Sequence, residues 1–220
     1  MTGTLGLLET TGLTPAMVAI DTMTKTATVS VVQLELNDLY GVCVKISGPT
    51  ADVQNAIGAG RRVADQMQGN PVVTILTRVA VSAVPALVSP TEYNPLIEQN
   101  VVFQYNEGLT SPEQPATADR SDTLLMNEQT PMALGFIETQ GFTAVFEAID
   151  TACKAAGVEV LAKEKLGGGY VTVVIQGQLS AVSTAVAAGK EKVDGLGKLI
   201  AAHVIARPSE AVLRLLPKMP

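Results

Sequence analysis

Tryptophan is absent from these 220 residues, histidine occurs once and cysteine twice. Each shortage excludes a kind of chemistry. His203 stands alone in a run of Val, Ile and Ala. Without a second imidazole or a carboxylate cluster there is no ready metal site, and His203 reads as a packed or edge side chain. Ser47, Ser82 and Ser209 lack the strand–turn–helix setting of a nucleophile elbow. Cys43 and Cys153 are too few for a disulfide framework and read as reduced thiols of a cytosolic protein. Charge is scarce as well, at 16% of residues, and acidic on balance: 15 Lys and Arg against 21 Asp and Glu. A net charge of −6 argues against a nucleic-acid surface. Apolar residues make up 47%, yet Asp, Lys, Glu or Gln interrupts every long run, so no stretch reads as a membrane span. Met1-Thr2-Gly3-Thr4 leads directly into the first structural pattern, which leaves no signal peptide in this reading. So apolar a composition with so few charges implies that partners cover much of the nominal surface.

The chain states one pattern twice. Leu5-Gly6-Leu7-Leu8-Glu9-Thr10-Thr11-Gly12-Leu13-Thr14 returns, 129 positions on, as Leu134-Gly135-Phe136-Ile137-Glu138-Thr139-Gln140-Gly141-Phe142-Thr143. The offset holds through Ala19-Ile20-Asp21-Thr22, and again at Gly48 and Gly177, Gly60 and Gly189, Arg78 and Arg207. One fold has been duplicated, and the places where the copies diverge are where function is to be sought. The reading gives a first domain over 1–87, a connector over 88–131 and a second domain over 132–220.

Each copy reads as strand, helix, strand, strand, helix, strand, short helix. Ala16, Ala19, Ile20 and Met23 give the i, i+3, i+4, i+7 spacing of a buried helix face. Val42, Val44 and Ile46 alternate with Cys43, Lys45 and Ser47, predicting a strand with the first set inward and the second outward. Val171, Val173 and Ile175 repeat the inward set. Glycine at 60 and 189, on a helix face in both copies, predicts close approach of helix to sheet. Glu9 and Glu138 follow the first strand of each copy, and a structural role accepting backbone N–H groups suits them better than catalysis. The connector contains Pro90, Pro95, Pro112 and Pro115. Its Asn100–Tyr105 stretch reads as an edge strand or hairpin arm, and Thr110–Asp122 as an exposed loop. It is long enough to cover a face or touch a neighbouring chain.

Three stretches of the second copy carry a resemblance: Ala133-Leu134-Gly135-Phe136-Ile137-Glu138-Thr139-Gln140-Gly141, Glu164-Lys165-Leu166-Gly167-Gly168-Gly169, and His203-Val204-Ile205-Ala206-Arg207-Pro208. They resemble the signature stretches of bacterial microcompartment shell proteins, and two such domains in tandem resemble the trimeric, pseudohexameric BMC-T class. The resemblance implies an α/β (α+β) protein of two ferredoxin-like BMC domains. Each would be a four-stranded antiparallel sheet with helices, in the unpermuted element order. It implies a homotrimer that tiles edge to edge with other shell proteins, hexamers and pentamers, in a shell within the cytoplasm. Such a shell encloses enzymes and passes small metabolites through a central pore.

The same resemblance places residues. The loop joining the second and third strands lines the pore, which puts Asn37, Asp38 and Leu39 there in copy one and Leu166, Gly167, Gly168 and Gly169 in copy two. Glycines let the backbone approach an axis and turn N–H groups inward, and Asp38 would set charge at the opening. A lysine on the first helix and an arginine after the last strand make tile-edge contacts, matched by Lys25 and Lys154 and by Arg78 and Arg207. Asp21 and Asp150, four residues before the lysines, are spaced to hold them. Neither pore loop carries a cysteine, so an iron–sulfur cluster is not expected, and neither is any other cofactor or catalytic residue. The alternative function is a trimeric ferredoxin-like module that binds or senses a metabolite.

Overall fold

Val42, Val44 and Ile46 are fully buried in a computed structural model of the chain, which describes residues 3–37, 41–96, 99–104 and 132–216. They lie on β3 (Gly41–Gly48), which pairs antiparallel with β1 (Thr4–Thr11) on one side and β2 (Ser30–Leu36) on the other. β4 (Val72–Leu76) pairs with the far edge of β1. The helices α1 (Leu13–Thr26) and α2 (Thr50–Gln66) cover one face, bringing Ala16, Ala19, Ile20, Met23, Val53 and Ala56 onto the inward valines. The second copy repeats this with β8 (Ala133–Gln140), α4 (Phe142–Ala155), β9 (Glu159–Gly167), β10 (Tyr170–Gly177), α5 (Leu179–Glu191) and β11 (Lys198–Ile205). Its strand order is β11-β8-β10-β9, matching β4-β1-β3-β2. A last helix, α6 (Glu210–Leu215), closes the described chain. Among the described residues no helix is long and apolar enough to cross a membrane.

The first sheet has a fifth strand that a single domain of this pattern would lack. After a 3-10 turn at Val81–Ala83 and the short α3 (Val84–Leu87), the chain forms a small hairpin, β5 (Tyr93–Asn94) with β6 (Gln99–Asn100). It then lays β7 (Val102–Gln104) antiparallel along β2. An uncovered β2 would present unpaired N–H and C=O groups, and β7 occupies them. The Gln99 amide does the same for β9: Nε2 donates to Lys165 O (2.5 Å) and Oε1 accepts from Lys165 N (3.2 Å).

Both faces of the second sheet are buried. One lies under α4 and α5. The other, carrying Leu134, Phe136, Ala162, Leu166 and Val174, shares a single apolar core with Leu13 and Met17 of α1 and with Ala211, Val212 and Leu215 of α6. Simple alternation predicts one open face; packing of copy one against copy two closes it.

Lys45 corrects the sequence reading in the same way. Placed outward by alternation, it is buried, because the chain after α3 lies across that face. Its ammonium donates to Gln33 Oε1 (2.9 Å) and Leu87 O (2.7 Å) and pairs with Glu35 Oε2 at 2.8 Å. All three N–H donors are thereby matched, which is the condition for burying an ammonium. Gln33 Nε2 in turn donates to Ser89 O (2.7 Å). At the equivalent places in copy two stand Val174 and Ala162, which meet an apolar partner instead.

The two helix glycines sit tightly, against helix as well as sheet. A β-carbon at Gly189 would lie 2.7 Å from both Ala148 O of α4 and Ile137 Cδ1 of β8. At Gly60 it would meet the flexible end of Met23, at 2.7 Å to Cγ and 2.8 Å to Sδ. Gly189→Ala is therefore expected to cost about 1–3 kcal/mol net of any helix-propensity gain, because a carbonyl cannot rotate away. Gly60→Ala should be close to neutral. Urea denaturation of the two variants measures the difference, and equal midpoints would show that α4 yields as easily as Met23.

Candidate functional site

The contact between the copies is built from residues the duplication makes recognisable. Glu138 leaves the end of β8 fully buried and meets the first turn of α1. The N–H of Leu13 donates to its Oε1 (2.8 Å) and the N–H of Thr14 to its Oε2 (2.9 Å). A helix start carries unpaired N–H donors and the positive end of its dipole, so a carboxylate is the fitting partner. Burial raises the Glu138 pKa, against the pull of the two backbone N–H groups and of Thr14 and Thr172. Gly12, at φ +90, gives the chain the turn that brings α1 to this carboxylate. The sequence signals a carboxylate with a backbone role here, but not that its donors lie 125 residues away.

A second cluster tightens the other end of α1. Asp21 uses both oxygens: Oδ2 pairs with Lys25 Nζ (2.6 Å) and Oδ1 accepts the N–H of Ser209 (2.7 Å). Lys25 also donates to the backbone carbonyl of Arg207. Two of the expected edge residues, Lys25 and Arg207, thus meet across the seam between the copies. The other pair is not joined. Lys154 bonds Asp150 Oδ2 at 2.5 Å as the counterpart of the Lys25–Asp21 pair, and Arg78 is exposed. The side chains of Asp150 and Lys154 are 55% and 75% exposed, against 12% and 47% for Asp21 and Lys25. His203 lies near Asp21, and burial lowers its pKa while that carboxylate pulls it back up.

Of the loop residues placed at an opening, Asp38 and Leu39 lie outside the described residues. Asn37 holds its own turn: its N–H donates to Gly41 O, its Oδ1 accepts the Gly41 N–H, and its Nδ2 donates to Glu9 Oε1 (3.0 Å). Gly167, Gly168 and Gly169 all take positive φ (80°, 56°, 81°), a run that side chains would oppose. Gly169 O accepts the Gly141 N–H (2.9 Å) and Gly168 O the Gln140 amide (3.2 Å), so the hairpin is pinned to the end of β8. Leu166 is a correction. Its side chain is buried in the shared core, since it lies on the face of β9 that the two copies close between them, and the loop's exposed surface is the glycine backbone.

Among the described residues no three His, Cys, Asp or Glu side chains are grouped to hold a metal. Burial raises the Cys43 thiol to about 11, with Lys45 only partly opposing it, so the thiol is a poor nucleophile. Two buried features escaped the sequence reading. Glu164 on β9 lines a narrow apolar cleft with Leu13, Met17, Leu34 and Phe103, and its Oε2 has no hydrogen-bond partner. A polar cleft of about 150 Å³ opens between the copies beside Thr11, Gln68, Asn70, Tyr170 and Lys198.

Comparison with known proteins finds one family twice in the chain. The family model described as "BMC domain" matches twice, at residues 4–79 and 133–208. The major carboxysome shell protein CsoS1A of Halothiobacillus neapolitanus is 45% identical over 96 residues, which span 43% of this chain and 98% of that protein. The carboxysome shell protein CcmK2 of Thermosynechococcus vestitus is 47% identical over 90 residues, spanning 40% of this chain and 87% of that protein. A crystal structure of a microcompartments protein from Desulfitobacterium hafniense is 23% identical, covering 97% of this chain and 99% of that one with a TM-score of 0.36.

Proposed function

We propose, on the footing that this chain belongs to the BMC-domain family, that it is a structural tile of a bacterial microcompartment shell and not an enzyme. In this reading three copies form a ring of six domains around an opening that passes small metabolites. The observation that carries it is the asymmetry of the two first helices. α1 is buried on every side from Leu13 to Asp21, beneath copy two of its own chain. α4, its counterpart, buries only Ala144, Val145, Ala148 and Ala152. Phe142 and Phe146 stand 43% and 49% exposed, where the matching Leu13 and Met17 are 4% and 1%. The seam within the chain is head-to-tail, so each chain keeps one surface of each kind unused, and repeating such a contact closes a ring when the rotation per copy adds up to a full turn. The six-domain tile of the resemblance takes three chains.

The exposed glycine backbone of 167–169 lines the opening, alternating with the Asn37–Leu39 loop, and its N–H groups favour anionic or hydroxylated metabolites. The guanidinium groups of Arg78 and Arg207 and the stems of Lys25 and Lys154 meet neighbouring tiles, hexamers and pentamers among them, in a cytoplasmic shell around enclosed enzymes. Light scattering should give trimers, and electron microscopy sheets or closed shells when partner shell proteins are added. Arg78→Ala with Arg207→Ala should leave trimers intact and abolish tiling, because only the Arg207 backbone takes part in the seam described above. A wild-type protein monomeric at all concentrations refutes the proposal. The polar cleft beside Gln68 and Asn70 favours a second reading, a metabolite-binding module, for which a thermal-shift screen against small metabolites should find a saturable ligand.

A further inference from the structure

Glu9 and Glu138 occupy the same place in their copies and do different things. Glu138 is buried and caps α1. Glu9 is exposed, and its carboxylate meets only the Asn37 amide among the described residues. The helix that Glu9 would cap by the 129-residue offset is α4. It begins like α1: Gly141 at φ +120 stands where Gly12 does, and Thr139 Oγ1 donates to Gly141 O (3.0 Å) as Thr10 Oγ1 does to Gly12 O (3.0 Å). Yet among the described residues nothing accepts the N–H groups of Phe142 and Thr143.

The second cluster is divided in the same way. Asp21 and Lys25 have their backbone partners, Ser209 N–H and Arg207 C=O, inside the chain. The matching partners of Asp150 and Lys154 are Ala80 N–H and Arg78 C=O, and both residues are exposed and face no acidic or lysine side chain of this chain that the structure records. Both of these contacts thus have a second set of equivalent positions left open, with the Glu9 carboxylate on copy one and the start of α4 on copy two. Within this chain the copies are already joined through Glu138 and α1, and Glu9 and the start of α4 do not meet; they fit a second copy.

We infer that Glu9 is an intermolecular helix cap: in the ring it accepts the N–H groups of Phe142 and Thr143 at the start of α4 of an adjacent copy, while that copy's Asp150 and Lys154 close on Ala80 N–H and Arg78 C=O. This rests on the ring reading above and adds the residues that close it. Phe142 and Phe146 lie beside the cap and are the apolar surface the contact covers. An exposed carboxylate adds little stability to a lone chain, and near the end of β1 Glu9 is placed to reach such a partner.

The test is sedimentation of the full chain across concentration, with amide hydrogen exchange at Phe142 and Thr143 and circular dichroism of each variant. Glu9→Ala should keep its circular dichroism and raise the concentration of half-assembly by at least about tenfold, since each seam loses a two-donor cap. Exchange at Phe142 and Thr143 should quicken to the rate of unassembled protein. Glu9→Gln, which keeps one acceptor oxygen, should fall between, and Lys154→Ala should weaken assembly without touching those two amides. Wild-type trimers with unchanged midpoint and exchange in Glu9→Ala would overturn the cap and leave the ring standing. A wild-type chain that never assembles would overturn both.

Discussion

Replacing Glu138 by alanine is expected to destabilise the chain by roughly 2–5 kcal/mol, because two buried N–H donors of α1 lose their acceptor at about 1–3 kcal/mol each. The side chain is fully buried. For a protein of this size that corresponds to a fall in melting temperature of about 10 °C. Glu138→Gln keeps one oxygen for one donor and turns an NH2 toward the other, so it should cost about half as much. Calorimetry or chemical denaturation at neutral pH measures both, and an alanine variant within about 0.5 kcal/mol of wild type would mean that the start of α1 finds another acceptor. The same substitution at Glu9 should leave an unassembled chain unaffected, since that carboxylate is exposed. The same residue type at corresponding positions of the two copies is thus separated by its environment in the fold.

The second large effect is a dependence on pH. Glu164 is buried without a cation beside it, and burial raises its pKa from 4.5 to about 7. A carboxyl whose folded-state pKa is raised is easier to keep protonated in the fold. Its full contribution is therefore present below about pH 4.5 and is lost as pH rises through 7. A shift from 4.5 to about 7 amounts to roughly 3 kcal/mol of stability lost between those limits. Glu164→Gln, neutral at every pH, should remove this loss, so the variant gains on wild type as pH rises and matches it only below about pH 4.5. His203, with its pKa lowered by burial, acts on the acid side in the opposite sense. The quantity to read is therefore the difference between the two proteins at each pH. A difference that stays flat from pH 5 to 8 would place the Glu164 carboxyl in contact with water.

Periodicity made most of the architecture legible. The inward valines of β3 and β10, the buried stripe of α1 and the element order follow from spacing that local sequence contains. What it could not supply was the second layer of contact. Lys45 reads as a solvent-facing residue because alternation knows only one core; the chain at Leu87 and Ser89 that covers it comes 42 and more residues later. Leu166 reads as part of an exposed loop because glycines follow it, and is buried because its face of the second sheet joins the core shared by the two copies. Lys25 and Arg207 were recognised separately from a family pattern, while their meeting depends on a seam between parts 182 residues apart. Repetition identified Glu9 and Glu138 as important, and only the fold shows that one is employed and the other open.

The distance between α1 and its cap has a consequence for synthesis. Leu13 and Glu138 are 125 residues apart, so at roughly 5–20 residues per second a ribosome leaves the first helix uncapped for about 6–25 seconds after it emerges. During that interval Leu13 and Met17, later sealed inside, face solvent on a nascent chain. The amino-terminal half cannot reach its finished form ahead of the carboxyl-terminal half, and chaperone dependence and translation speed become determinants of yield.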